Sequence, residues 1–371
     1  MDPYLMLALA EGFGESPVAA LLEPDLDPQS WLQDPPPTTR LPPRVAARLS
    51  DPDLGAKAAA VRHHAAAAGL SLHTPDAPPY PDRLHHIAQR PLVLFTRGDP
   101  AILRREPAVA LVGSRTPTPY GRHTAEELAR ALASAGVILW SGLARGIDAI
   151  AHRACIDASV PTVGVLAGGL DHIYPPEHSA LADAIVAGGG CLLAELPPTR
   201  RPRRGHFVRR NRILAAGTPA VLVVEAGLHS GALHTARFAA ECGTDVFAVP
   251  GPWQSERSQG CHRLIVEGAN LVESPEALLR DLGVSGQGSA HQALQFERSA
   301  DSRALLTALS HGPRPTDLLQ RESGLERGAF LRAIMTLEES GAVRRLAGDL
   351  WAAATPRPDP VEPRPGEAQT R

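Results

Sequence analysis

Fourteen residues, Thr199 to Arg212 (TRRPRRGHFVRRNR), hold seven arginines, and no aspartate or glutamate lies between Glu195 and Glu225. The whole chain has a formal charge of −3, so this cationic density is local. A solvated tail is the ordinary reading of such a run. A tail, however, would not lead directly into Ile213, Leu214, Ala215 and Ala216 and then a buried-type strand at Ala220–Val224. The block therefore belongs to a folded surface at the mouth of a sheet, with the chemistry of a phosphate-backbone site. Phe207 stands among the arginines. An aromatic face for bases beside guanidinium groups for phosphates is the pairing that a nucleic-acid single strand requires. The candidates from this block are Arg200, Arg201, Arg203, Arg204, Phe207, Arg209, Arg210, Asn211 and Arg212.

Four further segments have the glycine- and serine-rich character of strand-to-helix turns that approach anions. They are Gly113-Ser114-Arg115, the run from Ser141 to Asp148 containing Arg145, Ala167-Gly168-Gly169-Leu170-Asp171, and Ser230-Gly231-Ala232. Any one of them is ordinary turn chemistry; together with Ser114, Arg115, Arg145 and Ser230 they line an extended anionic groove. Catalytic signatures are missing: no P-loop, no G-x-G-x-x-G after the Ala108 strand, no H-E-x-x-H and no G-x-S-x-G. Lys57 is the sole lysine, in an alanine-rich helical stretch, so no P-loop or Schiff-base lysine serves the later segments. Asp148 and His152, four apart, read as a helix cap and a packed histidine rather than an acid/base pair. Glu225, at a strand end, is the best carboxylate for an enzyme but has no evident partner. No catalytic residue, metal or cofactor is expected.

The elements that must position these residues are legible from periodicity. Apolar runs at Pro91–Phe95, Ala108–Val112, Val137–Trp140, Thr162–Leu166, Cys191–Leu196, Ala220–Val224 and Asp245–Val249 predict strands. Helical patterns at Gly121–Ala135, Ile147–Ile156, Pro176–Val186, Val208–Ala216 and Ala232–Cys242 fall between them. That alternation predicts an α/β, doubly wound, Rossmann-like parallel sheet over residues 80–283, with ligands at the carboxyl ends of its strands. Residues 1–79 read as a small helical domain, SAM- or helix-hairpin-helix-like, with helices at Leu5–Leu9, Pro17–Leu22 and Val45–Ala68; GFGESPVAALL faintly resembles a helix-hairpin-helix phosphate turn, but a helical packing domain is the preferred reading. A polar linker over 284–300 leads to a winged-helix pattern over 301–353, and the tail at 354–371 is too polar to fold. With 371 residues and 4 % aromatics, the core must be built from Ala, Leu and Val. Four separated cysteines without a CxxC pair, an N-terminus lacking a basic signal-peptide region, and no membrane-length apolar run predict a cytoplasmic protein.

VGSRTPTPYG, SGLARGIDAIAH, AGGLDHIYPPEH, HFVRRNRILAAG, VLVVEAGLHSGALHTA and VFAVPG with GCHRLIVEGA resemble, in order, the motifs of the DNA-processing protein A family (DprA, also called Smf). The resemblance runs from about Tyr80 to Leu282. It implies a non-catalytic protein that binds and protects incoming single-stranded DNA in natural transformation, forms a homodimer and helps load the RecA recombinase. Carried over by motif, it assigns DNA contact to Ser114, Arg115, Arg145, Phe207, Arg209, Asn211, Arg212 and Ser230. It places Leu264, Ile265, Leu271 and Val272 at the dimer surface. Val208 replaces a proline common in the family, and Arg145 a lysine.

Two other functions compete. A phosphoribohydrolase-like, nucleotide-processing enzyme would use Ala167-Gly168-Gly169 and Glu225, but the phosphate loop is incomplete and seven arginines suit a polymer better than one phosphate. A winged-helix transcription factor would require sequence-specific duplex binding. Arg327 and Arg332 are balanced there by Glu326, Glu338 and Glu339, leaving Arg344 and Arg345 of the wing as the DNA handle.

Overall fold

The computed structural model describes residues 2–13, 28–33, 41–87, 89–284, 300–309, 312–339, 343–346 and 350–353. The expected helix at Pro17–Leu22, most of GFGESPVAALL, the linker apart from Val284 and Ala300, and the tail lie outside them. The chain divides into two compact units, residues 1–285 and 286–371.

In the first unit, helices α1 (Pro3–Glu11), α2 (Pro28–Gln33), α3 (Pro43–Leu49) and α4 (Leu54–Ala67) precede a nine-stranded sheet. The helix expected across Val45–Ala68 is divided in two. Pro52 has no amide hydrogen to continue a helical ladder, and Asp51 Oδ1 accepts the Asp53 amide at 2.9 Å, closing a local turn instead. The strands are β1 (Ser71–His73), β2 (Leu94–Gly98), β3 (Ala108–Val112), β4 (Ile138–Ser141), β5 (Thr162–Leu166), β6 (Cys191–Ala194), β7 (Ala220–Val223), β8 (Asp245–Ala248) and β9 (Asn270–Leu271). Their spatial order is β1-β2-β6-β5-β4-β3-β7-β8-β9. The seven strands from β6 to β9 are parallel, as expected. β2, anticipated at Pro91–Phe95 within a parallel sheet, instead runs antiparallel to both β6 and β1. A continuous apolar run reports burial on both faces, not direction.

Helices α5 (Pro119–Ser134), α6 (Ile147–Asp157), α7 (Ser179–Ala187), α8 (Arg204–Gly217), α9 (Ala232–Glu241), α10 (Gln259–Val266) and α11 (Pro275–Asp281) complete the unit. Strand period two divides the core. Ala108, Ala110 and Val112 pack with Ile213, Leu214, Ala216 and Ala236 on one face. Val109 and Leu111 pack with Leu128, Leu132 and Ile150 on the other. Leu5, Leu7, Val45, Ala58 and Ala65 from the N-terminal helices share a cluster with Phe95, Leu181, Ile185 and Leu192, so the described part of this segment packs its core against the sheet. β3 lies between β4 and β7. Successive crossovers leave it first toward β6 and then, through α8, toward β9, which places a topological switch point at its carboxyl end.

The second unit contains α12 (Ala300–Leu309), α13 (Thr316–Ser323) and α14 (Arg327–Glu339). Its strands β10 (Arg314–Pro315), β11 (Val343–Leu346) and β12 (Leu350–Ala353) form an antiparallel sheet in the order β10-β12-β11. Leu305, Leu319, Phe330, Ile334, Leu337 and Trp351 form its core, and the Trp351 indole donates to Thr316 Oγ1 at 2.9 Å. Three helices and a hairpin make the expected winged helix.

Candidate nucleic-acid interface

At the switch point the carboxyl-end loops of the parallel strands enclose an open groove of about 1480 Å³. Small-molecule pockets typically occupy about 300–1,000 Å³, so this space suits an extended ligand. Its walls hold six arginines (Arg115, Arg201, Arg203, Arg204, Arg210 and Arg257) against three carboxylates, Asp148, Asp171 and Glu256.

The arginine block divides along α8. Residue Arg203 stands just before the helix, and its backbone amide donates to Nδ1 of His206 at 3.1 Å, satisfying the entry turn. This lets the helix begin at Arg204, earlier than the apolar pattern from Val208 indicates. Arg201, Arg203 and Arg204 are exposed, line the groove and pair with no carboxylate among the described residues. Phe207, half-buried, meets Tyr174 edge to face, with ring centroids 5.4 Å apart. The Arg115 guanidinium stands 5.4 Å from the centre of the Phe207 ring, within cation–π reach. Tyr174 remains 45 % exposed. Exposed cations and a paired aromatic surface thus occur on one wall.

Farther along α8 the same residue type turns inward. Arg210 is buried in the groove floor, where Nη1 donates to the Val165 carbonyl and Nε has no partner. Burial lowers its pKa to about 10, with Asp148 pulling it back up and Arg115 pushing it down; it stays cationic at neutral pH. Gly142 leaves room for the guanidinium: a Cβ there would lie 2.3 Å from Arg210 Nη1, so the end of the arginine would have to shift. Asn211 is buried and donates to the Gly231 carbonyl at 3.2 Å, joining α8 to the start of α9. Arg212 does not reach the groove. It is buried in an ion pair with Glu195 at 2.6 Å, both side chains less than a tenth exposed, so the phosphate role expected of it is corrected to an internal one. Three other expected contacts lie off the groove lining. Arg209 donates to the Phe13 carbonyl at 2.7 Å, Arg145 pairs with Glu177 at 2.5 Å, and the Arg200 carbonyl accepts the Gly169 amide at 2.8 Å.

Ser114 and Ser230 do line the groove. Ser114 Oγ accepts the Thr116 amide at 3.2 Å, and Ser230 Oγ accepts the Ala232 amide at 3.3 Å at the entry to α9. Sequence reasoning missed Tyr174 and Arg257. Arg257 donates to Thr116 Oγ1 at 2.9 Å; its only signal was its position in the loop after a parallel strand.

The candidate carboxylates serve the fold. Glu225 is buried and accepts the Thr118 amide at 3.1 Å and its hydroxyl. It thereby fills the amino end of α5, and a Cβ on Gly121 would lie 2.4 Å from Glu225 Oε2. Asp148 accepts the Gly142 and Ala144 amides at 3.1 and 3.3 Å, while burial raises its pKa. His152 meets Thr162 Oγ1 through Nδ1 at 3.0 Å. That hydroxyl donates to the Leu139 carbonyl at 2.6 Å, so Nδ1 carries the proton. Burial lowers the His152 pKa to about 3. His152 is the packed histidine expected, whereas Asp148 braces the loop before α6 instead of capping the helix, whose start has no side-chain cap. No group of three or more potential metal ligands occurs among the described residues, and no described helix is long and apolar enough to cross a membrane.

On the proposed dimer surface, Leu271 is exposed in edge strand β9, while Leu264 and Ile265 of α10 are half-buried against the core. Val272 is buried in the core cluster and is corrected to a packing residue. Val272 follows the strand, with its amide donating to the Ala248 carbonyl at 3.1 Å and its side chain turned into the cluster.

The profile of the family described as DNA recombination-mediator protein A matches residues 71–283, and that of the DprA winged helix domain matches residues 289–349. The chain belongs to the DprA/Smf family. It is 41 % identical over 257 residues to a DNA processing protein DprA of Mycobacterium tuberculosis, covering 68 % of this chain and 66 % of that one. With Protein Smf of Escherichia coli the identity is 35 % over 284 residues, covering 75 % and 73 %. The X-ray structure of DprA from Streptococcus pneumoniae superposes with a TM-score of 0.56 at 34 % identity, covering 64 % of this chain and 84 % of that one. DprA from Helicobacter pylori, whose structure is described for its single-stranded DNA binding mode, superposes with a TM-score of 0.52 at 29 % identity, covering 57 % and 95 %. The chain thus spans just under two thirds of its Mycobacterium relative.

Proposed function

We propose that this DprA/Smf chain binds single-stranded DNA in the switch-point groove, without catalysis, and protects the strand during transformation. The observation that carries this reading is the single wall bearing Arg201, Arg203 and Arg204, unpaired with any described carboxylate, beside Phe207, Tyr174 and Arg115. Cations can follow a backbone of any sequence, and an aromatic platform accepts any base. The single-strand binding mode described for the Helicobacter pylori relative supports the same polymer. A gel-shift comparison of mixed-sequence single strands and duplexes tests it: single strand should bind more tightly, and equal or tighter duplex binding would overturn it.

A nucleotide-processing enzyme is disfavoured because Glu225 already occupies the amino end of α5, where a Rossmann-type site would receive a phosphate. Robust release of base or phosphate from nucleotides, lost in Glu225→Gln, would reverse this. We also propose a homodimer through Leu264, Ile265 and exposed Leu271, and delivery of the strand to RecA in the cytoplasm, as family membership suggests. Leu271→Arg should shift the protein toward monomer in light scattering; an unchanged mass would move the dimer surface elsewhere.

A further inference from the structure

We infer that Trp253 is a second base-stacking station, extending the single-strand path from the groove over the loop that follows β8. This rests on the single-strand reading and adds a residue that the groove does not itself contain. Trp253 is 78 % exposed, against 0 % for Trp140 and 7 % for Trp351. One exposed apolar residue is unremarkable; the mounting of this one is the evidence. The Tyr120 hydroxyl donates to the Pro250 carbonyl at 2.7 Å, and the Ser255 amide donates to the Pro252 carbonyl at 2.9 Å. Gly251 packs so closely that a Cβ would lie 2.2 Å from Ser258 Oγ. At the far end of the loop, the Arg257 guanidinium reaches Thr116 Oγ1 at 2.9 Å and Ser114 Oγ at 3.5 Å. The indole therefore stands on a loop fastened at both ends, so ordering it on binding costs little entropy.

Position supplies the ligand. Four residues span at most about 14 Å, so Trp253 lies within that reach of Arg257, which lines the groove wall. The neighbouring loop also abuts this one: a Cβ on Gly227 would lie 3.2 Å from the Glu256 carbonyl oxygen. It presents Leu228, 47 % exposed, to the groove. A strand held by Arg115 and Arg257 would leave the groove across these loops, where an indole offers the largest stacking face of any side chain. The occupant is a nucleobase of the same strand, bound without regard to its identity.

The test uses the full-length protein with oligothymidylates of increasing length, together with Trp253→Phe, Trp253→Ala and Phe207→Ala. For strands long enough to leave the groove, Trp253→Ala should weaken binding at least fivefold, and Trp253→Phe should retain most of the affinity. The shortest strands that bind should be unaffected. Long strands should quench the indole emission of the wild type, and Trp253→Phe should remove that quenching. If the wild type binds no single strand, the proposed function fails first. If it binds and Phe207→Ala weakens it while Trp253→Ala matches wild type at every length, the second station is overturned. A changed oligomeric mass for Trp253→Ala would likewise overturn it, identifying the indole as a protein contact.

Discussion

The first turn of α8 and the turns after it contain the same cation in opposite settings. Arg203 and Arg204 are exposed at the groove, whereas Arg210 and Arg212, within nine residues of them, are more than nine-tenths buried. At the exposed end, guanidinium groups without carboxylate partners keep their hydration until an anion arrives. At the buried end, each must be compensated from within: Arg212 by Glu195, and Arg210 by the Val165 carbonyl and the field of Asp148. One basic run thus performs two tasks, and charge density alone does not tell them apart. The buried half is held by partners within the fold; the exposed half is the part that the proposed function assigns to the strand.

The largest effect should come from the buried half. Arg212→Ala leaves Glu195 charged without its partner, and breaking a buried ion pair typically costs about 3–5 kcal/mol. Urea denaturation should show that loss, and replacing both partners with apolar residues should recover part of it. Normal stability with weakened DNA binding would break the comparison by making Arg212 a contact. Gly142→Ala should cost about 1–3 kcal/mol, because the new methyl group drives into the Arg210 guanidinium. A thermal melt checks this, and an unchanged melting temperature would mean that Arg210 is not fixed there.

Phe207→Ala sharpens the exposed side of the comparison. Loss of one stacking face should weaken single-strand binding by about 1–3 kcal/mol, with the melting temperature nearly constant. A fall of several degrees with binding spared would mark Phe207 as a core residue. The smallest effect belongs to Arg145→Ala. Its exposed pairing with Glu177 contributes little, so single-strand affinity should change by about twofold or less; a larger loss in a binding titration would return Arg145 to the site.

Much of this arrangement was legible from residue patterns. β3 and β5 occupy the expected residues because five-residue apolar runs between helical segments have one economical placement. The direction of β2 was not legible, since burial on both faces is compatible with either orientation. The inward turn of α8 left no periodic trace: Arg210 to Gly217 are all buried, whereas Arg209, four residues from buried Ile213, is only half-buried. Glu195, seventeen residues before Arg212, carries no local mark of their pairing. Tyr174 and Arg257 were equally silent, because loop residues converge only once the sheet has brought the strand ends together. Leu271 and Val272 were not separable either: Asn270 and Leu271 are both exposed in the two-residue edge strand, so no alternation marks Val272 as buried.

The salt dependence of single-strand binding tests the division of the arginine block most directly. Five exposed groove arginines, Arg115, Arg201, Arg203, Arg204 and Arg257, at about 0.7 per phosphate, predict a slope near −3.5 for log K against log salt. Replacing Arg201, Arg203 and Arg204 together with alanine should flatten that slope by about 2, with little change in melting temperature. A slope that stays at the wild-type value in this variant, yet flattens when Arg212 is removed from a protein that remains folded, would contradict the assignment of the exposed turn to phosphate and the buried turns to structure.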